Sequence, residues 1–145
     1  MVRRISLIIL LILVYIRLGE ANYIRNREIV QDTILLTKVI QGECNYCSIY
    51  EKMLIGSVVI NRSKSTSIKE EIYKKNQFLG IKNNFEFDKN TYLLAYKLIV
   101  NGSINDSIKY FLIMEKSKDK KFKRKIKKMK KLKTKYKTKH EFFYN

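Results

Sequence analysis

Two apolar helical patterns meet at Gly42-Glu43. Over Arg27–Gln41, Val30 and Ile34, together with Thr33, Leu36, Thr37 and Ile40, recur at the three- and four-residue spacing of one helix face. Over Ile49–Arg62, Met53, Leu54, Val58 and Ile60 are expected to face inward, and Gly56-Ser57 allows close approach. Gly42 is the natural stop for the first helix. Ser67 with Glu70 forms a capping box that predicts a short helix from there. Residues 90–100 predict a fourth helix, closed by Asn101-Gly102. "NQFLGIKNNFEFD" between them reads as a loop. "SIKYFLIM" and "HEFFY" have strand character and can pair across the intervening basic run. The expected fold is mainly α (α+β), a small helical domain with a short β-hairpin element. The chain has 145 residues, which suits one domain.

The N-terminus obeys a different rule. Arg3 and Arg4 precede an apolar run, Ile5 to Ile16, and Gly19 and Ala21 follow at small-residue positions. This is the three-part pattern of a secretory signal. The run has 12 residues, where a membrane span needs about 20. An uncleaved anchor with Arg17 at the interface is the alternative. The expected division is a signal over 1–21 and a catalytic domain over 22–145. Export would place the protein in the periplasm, the cell wall or outside the cell. The chain contains no proline, which argues against an extended linker and a second module.

Charge is segregated. Residues 116–139 carry 15 Lys or Arg against one acid, whereas 22–115 carry 13 against 10. The basicity therefore belongs to one segment near the C-terminus.

Most catalytic chemistries lack their parts. Cys44 and Cys47 supply two thiolates where a structural zinc needs four ligands, and His140 is the sole histidine. A complete site would need carboxylates, so neither a metal nor a cofactor is expected. A thioredoxin-like motif lies between a strand and a helix. This pair falls between two helices, and a short local disulfide or free thiols are the simpler outcomes. The nucleophile elbow is absent, and five glycines build no phosphate loop. Sequons at Asn61, Asn101 and Asn105 are ordinary in an Asn-rich chain and carry no functional weight.

Glu43 remains. An acid at a helix C-terminus faces partial negative charge. Apolar neighbours such as Ile40 and Tyr46 would also disfavour ionisation, so both effects push the carboxyl pKa upward. A Glu held protonated near neutral pH suits general-acid cleavage of a glycosidic bond. The plain alternative is a solvated helix-end residue.

"KVIQGEC" ending one helix and "SVVINRS" ending the next resemble the SleB-like cell-wall hydrolase family. "NQFLGI" is similar to that family's Gln-Phe motif, "AYKLIVNG" to its following helix, and "GSINDSIKYF" to the segment entering its aromatic strand. "KHEFFY" resembles its closing His-x-Phe-Tyr. The ordered series covers about residues 33–144. Cys44 stands where the family has a small Ala, and the family's Trp near the C-terminus is missing.

The resemblance implies a lysozyme-like domain that cleaves the β-1,4 bond between N-acetylmuramic acid and N-acetylglucosamine in peptidoglycan. Glu43 would be the general acid and then the base. Gln77 and Phe78 would line the sugar groove, and Asn61, His140 and Tyr144 would contribute to substrate binding. One clear acid favours a lytic transglycosylase; a hydrolase would need a partner such as Glu51, Glu86 or Asp88. The expected partner is the glycan strand, bound by a monomer.

The basic segment supports a rival reading. Phe122, Ile126, Met129 and Leu132 recur at helical spacing within it, so it can lie on an anionic membrane. It can equally hold wall polymer, or nucleic acid through phosphates. A non-catalytic basic binding protein is therefore the alternative, although the signal segment argues against nucleic acid.

Overall fold

A computed structural model describes residues 2–74, 77–82, 85–112, 120–134 and 136–144, with backbone alone at 2–7, 79, 112 and 120. Asn76, Asn83 and Asn84 of the expected loop lie outside the described residues. So do the last two residues of the expected "SIKYFLIM" strand and residues 116–119 and 135 of the basic segment.

Helix α1 runs unbroken from Val2 to Cys44. It joins the N-terminal apolar run to the expected Arg27–Gln41 helix. Nothing between them stops a helix, since proline is absent and Gly19 alone costs only about 1 kcal/mol. The helix also passes through Gly42, for a reason given below. Its first part is solvent-exposed, including Ile8 to Ile16. No helix among the described residues is long and apolar enough to cross a membrane.

The last three turns of α1 enter the core on the face that carries the expected Thr33, Leu36, Thr37 and Ile40. Thr33, Leu36, Thr37, Val39 and Ile40 are buried, whereas Val30 and Ile34 face solvent. The hydroxyls of Thr33 and Thr37 donate back to the carbonyls of Ile29 and Thr33, at 2.6 and 2.7 Å. That satisfies their polar groups inside the core.

Helix α2 spans Ile49–Arg62, the expected bounds. Ser48 caps it, accepting from the Glu51 N–H at 3.2 Å. Leu54, Ile55, Val58 and Val59 are buried, and Met53 and Ile60 are half-buried at the edge of the core. Burying each such aliphatic side chain contributes about 1.5–3 kcal/mol. Gly56 faces the side chains of Leu98 and Ile40, so α2 lies close to both α1 and α4. A 3-10 turn follows at Ser63–Ser65. Helix α3, Ile68–Tyr73, begins with the predicted capping box of Ser67 and Glu70.

A second 3-10 turn, Leu79–Lys82, crosses the end of α1. Helix α4, Lys89–Asn101, is capped by Asp88 and ends at Gly102, whose φ of 88° favours glycine. Strand β1 (Tyr110–Leu112), helix α5 (Lys120–Lys127), strand β2 (Lys130–Lys131) and strand β3 (Glu141–Tyr144) complete the chain. The sheet order is β1-β3-β2, all antiparallel, with Phe111 opposite Phe142 and Lys131 opposite Phe143. The predicted pairing across the basic segment is therefore present, with β2 added on the other side of β3. The protein is mainly helical with a small antiparallel sheet, as expected.

The described part of the basic segment is not a free amphipathic helix. Its helix ends at Lys127, and its apolar residues turn inward. Ile126 is fully buried, Leu132 packs against the core, and the Phe122 ring lies 6.2 Å from that of Tyr110. Among the described lysines of this segment, Lys121, Lys127, Lys128 and Lys130 face solvent.

Candidate active site

Glu43 occupies the last turn of α1, and its surroundings follow from two glycines. The backbones of Gly42 and Gly80 meet with no room for a Cβ on either residue. That contact lays the Leu79–Lys82 turn over the helix end. It also brings the Gly80 N–H to Glu43, where it donates to Oε1 at 3.0 Å. Gly42 therefore serves close approach rather than termination, which is why the helix continues past it.

The carboxyl of Glu43 is half-buried and its pKa is raised. Burial is the larger cause; the Gly80 hydrogen bond opposes it by favouring the carboxylate. With Oε1 accepting from the backbone, Oε2 is the oxygen that can carry a proton. Ile40 is buried beneath this turn, but Tyr46 is 97% exposed and forms no apolar wall.

Beside Glu43 lies a second group of side chains. Cys44 and Cys47 form a disulfide, with Cα atoms 5.4 Å apart. Glu51 and His140 are both buried, at 3% exposure each. Glu51 Oε1 accepts from the backbone N–H of His140 at 2.7 Å and lies 2.8 Å from His140 Nδ1. Nδ1 and Oε1 therefore share one hydrogen bond inside the core. Burial pushes the His140 pKa down, against the hydrogen bond and charge of Glu51, which raise it. Potential ligand atoms of Cys44, Cys47, Glu51 and His140 all lie within 4.8 Å of one another.

The other expected site residues have varied positions. Gln77 is exposed, and its Oε1 accepts from Arg62. Arg62 also pairs with the buried carboxylate of Glu71 at 2.6 Å. Its guanidinium stands 5.4 Å from the Phe78 ring centre and 5.7 Å from that of Tyr110, both cation–π distances. Phe78 is only 4% exposed and joins the core beside Phe111, so packing accounts for its ring. Asn61 is buried; its amide donates to the carbonyls of Asn105 and Ile108, at 2.7 and 2.8 Å, which ties the chain before β1 to α2. Asn61 Oδ1 finds no partner among the described residues. Tyr144 ends β3, half-buried opposite Lys130. His140 is buried against Glu51, so its ring is turned to that carboxylate.

The carboxylates named as possible second acids are differently engaged. Glu51 is held by His140. Asp88 caps α4, accepting from the Asn90 N–H and the Thr91 hydroxyl, with Lys52 Nζ 3.3 Å away. The backbone carbonyl of Glu86 accepts from Gln41 at 2.8 Å, and its side chain is exposed.

Sequence reasoning missed Gly80, Arg62 and the Glu51–His140 pair. A lone Gly inside "QFLGI" was the available signal for Gly80. Glu51 was disguised: Ser48-x-x-Glu51 reads as a capping box, yet the carboxylate goes to a residue 89 positions away. Compared with models of protein families, with curated proteins and with solved structures, the chain matches none.

Proposed function

We propose that this protein cleaves the β-1,4 bond between N-acetylmuramic acid and N-acetylglucosamine in peptidoglycan, with Glu43 as general acid and then base. The observation that carries the reading is a half-buried Glu43 at a helix end, with Oε1 fixed by Gly80 N–H and Oε2 left for a proton. The motifs that resemble the SleB-like family support it, because "QGEC" and "QFLGI" are the two segments that meet at Gly42 and Gly80. Protonated Oε2 would deliver its proton to the glycosidic oxygen as the bond to C1 breaks. The carboxylate would then take the proton of the muramoyl 6-hydroxyl as that oxygen closes on C1. No water is consumed, and the product ends in a 1,6-anhydro ring. The engagement of Glu51 and Asp88 elsewhere favours this single-carboxylate route over hydrolysis. The expected division into a signal over 1–21 and a catalytic domain over 22–145, with export to the periplasm, wall or exterior, belongs to the same reading.

Mass analysis of soluble products from purified peptidoglycan tests it. Anhydromuramoyl ends are expected from the wild type, with a loss of about 10²–10⁴-fold or more in Glu43→Gln. Wild-type speed in that variant rejects the role of Glu43, and reducing muramoyl ends reject the transglycosylase outcome. The second reading, a non-catalytic protein binding an anionic wall polymer or membrane, is favoured by the solvent-facing lysines of α5. It predicts no soluble fragments from any variant. Burial of Ile126 favours surface electrostatics over insertion for either reading, since that part of the apolar face is already covered.

A further inference from the structure

The side chains of Cys44, Cys47, Glu51 and His140 converge from three separate parts of the chain. The cysteines end α1 and begin the link to α2, Glu51 lies in the first turn of α2, and His140 precedes β3. Three of the four are buried and Cys47 is half-buried. The set contains two sulfurs, one imidazole and one carboxylate. Each has a ligand atom within 4.8 Å of the others.

A buried Glu–His pair beside a Cys-x-x-Cys is more than packing requires. Burying polar groups has a cost unless they are hydrogen-bonded, and both bonds to His140 fall on one oxygen of Glu51, Oε1. Apolar residues of the same volume would fill the space more cheaply. A divalent cation would offset two of the three negative charges that a carboxylate and two thiolates bring to one site. Ligand type selects the ion: thiolate with imidazole suits Zn²⁺, and hard cations such as Mg²⁺ and Ca²⁺ prefer sites made of oxygen. Tetrahedral zinc with Zn–S of about 2.3 Å and Zn–N of about 2.0 Å separates its ligand atoms by roughly 3.3–3.8 Å. The widest gap in the set would close by about 1 Å, whereas the two sulfurs, bonded in the disulfide, would separate to about 3.8 Å after reduction.

We propose that the dithiol form of this protein binds one Zn²⁺ through Cys44, Cys47, His140 and Glu51, and that the disulfide is the metal-free alternative state of the same site. The two states interconvert in a balanced way. A dithiol reductant breaks the Cys44–Cys47 bond, becomes a disulfide itself, and passes two protons and two electrons to the cysteines. Zinc then displaces the two thiol protons to solvent as the Zn–S bonds form. Chain that meets zinc before it is oxidised needs no reductant. This proposal does not rest on the glycosidase reading.

The test uses the full-length, untagged chain, reduced and desalted without oxygen, then titrated with Co²⁺ and Zn²⁺. The expected result is one Co²⁺ per chain, with thiolate-to-cobalt charge transfer in the near ultraviolet and the strong visible bands of tetrahedral cobalt. Zn²⁺ should abolish both signals. His140→Gln should weaken cobalt binding at least tenfold, with circular dichroism reporting its fold. A second measurement needs no variant: Zn²⁺ should slow alkylation of Cys44 and Cys47 in the reduced wild type more than tenfold. Equal alkylation with and without zinc overturns the proposal. So does cobalt bound without a thiolate band, or bound equally well by folded His140→Gln.

Discussion

The backbones of Gly42 and Gly80 touch, and that contact carries the Gly80 N–H to within 3.0 Å of Glu43 Oε1. A methyl group at position 80 has no space, because the atoms it meets are main chain rather than the end of a flexible side chain. Gly80→Ala should therefore lift the turn off α1. The expected cost is about 1–3 kcal/mol in stability, as for other overpacked sites. Peptidoglycan cleavage should fall further than stability alone explains. Gly102→Ala is the control: it strains a φ of 88° but meets no neighbour and lies outside the Glu43 contact. Thermal melts with turnover for both variants check this. Equal activity losses at equal stability would show that the Gly80 contact is only structural.

The disulfide closes a very short ring. Loop-closure entropy for about four residues amounts to roughly 2 kcal/mol. Cys44→Ser with Cys47→Ser should lower stability by no more than that, as urea titration would measure. Cleavage by the double variant should persist, because Glu43 is oriented by α1 and Gly80. Loss of turnover in a folded double variant would assign the cysteines to the chemistry.

Two groups stand out among the described lysines of the basic segment. Lys131 pairs with Glu141 at 2.6 Å, and Lys125 Nζ lies 5.0 Å from the Tyr110 ring centre, so both hold structure. Lys121, Lys127, Lys128 and Lys130 face solvent. Replacing those four with Gln should weaken association with insoluble peptidoglycan and flatten its salt dependence. Cleavage of small soluble glycans should hardly change. Pull-down across a salt series, beside a soluble-substrate assay, separates anchoring from catalysis.

Asp88 gives the fold an acid-sensitive point. The Thr91 hydroxyl above all, then the Asn90 N–H and Lys52, hold its carboxyl below the usual range, and partial burial opposes them. A pKa lowered on folding means that the unfolded chain takes up the proton first. The cap's contribution is therefore whole above the unfolded value of about 3.9 and is lost as pH falls through the lower folded value. Asp88→Ala should cost about 0.5–2 kcal/mol near neutrality. Asp88→Asn should keep much of the cap and flatten the acid limb. Urea midpoints between pH 2.5 and 6 check both.

Local chemistry explains which parts were legible in the sequence. The Ser67–Glu70 box, the bounds of α2 and the turn at Gly102 each depend on residues within four positions of one another. Strands β1 and β3 were visible through their aromatic content, but their two-residue neighbour Lys130–Lys131 has no strand signature of its own. Gly42 misled because glycine ends helices by conformation and also permits contact by lacking a side chain. The sequence alone does not distinguish the two uses. Val30 and Ile34 misled because the spacing placed them together with Thr33, Leu36, Thr37 and Ile40, and only the latter four are buried. The meeting of Glu51 with His140 is set by tertiary packing, and no short window contains it.

Helix α1 carries the exposed apolar segment ending at Ile16 and the carboxylate of Glu43 on one unbroken axis. At about 1.5 Å per residue the two are roughly 40 Å apart, and long helices bend only gently. While that arm remains attached, it is a ruler: a surface that takes up its tip holds Glu43 at a set standoff. It is also a dial. Each residue added to or removed from the exposed stretch turns the domain by about 100° around the axis, at 3.6 residues per turn. The length of the arm therefore sets both how far the site reaches and which way it faces.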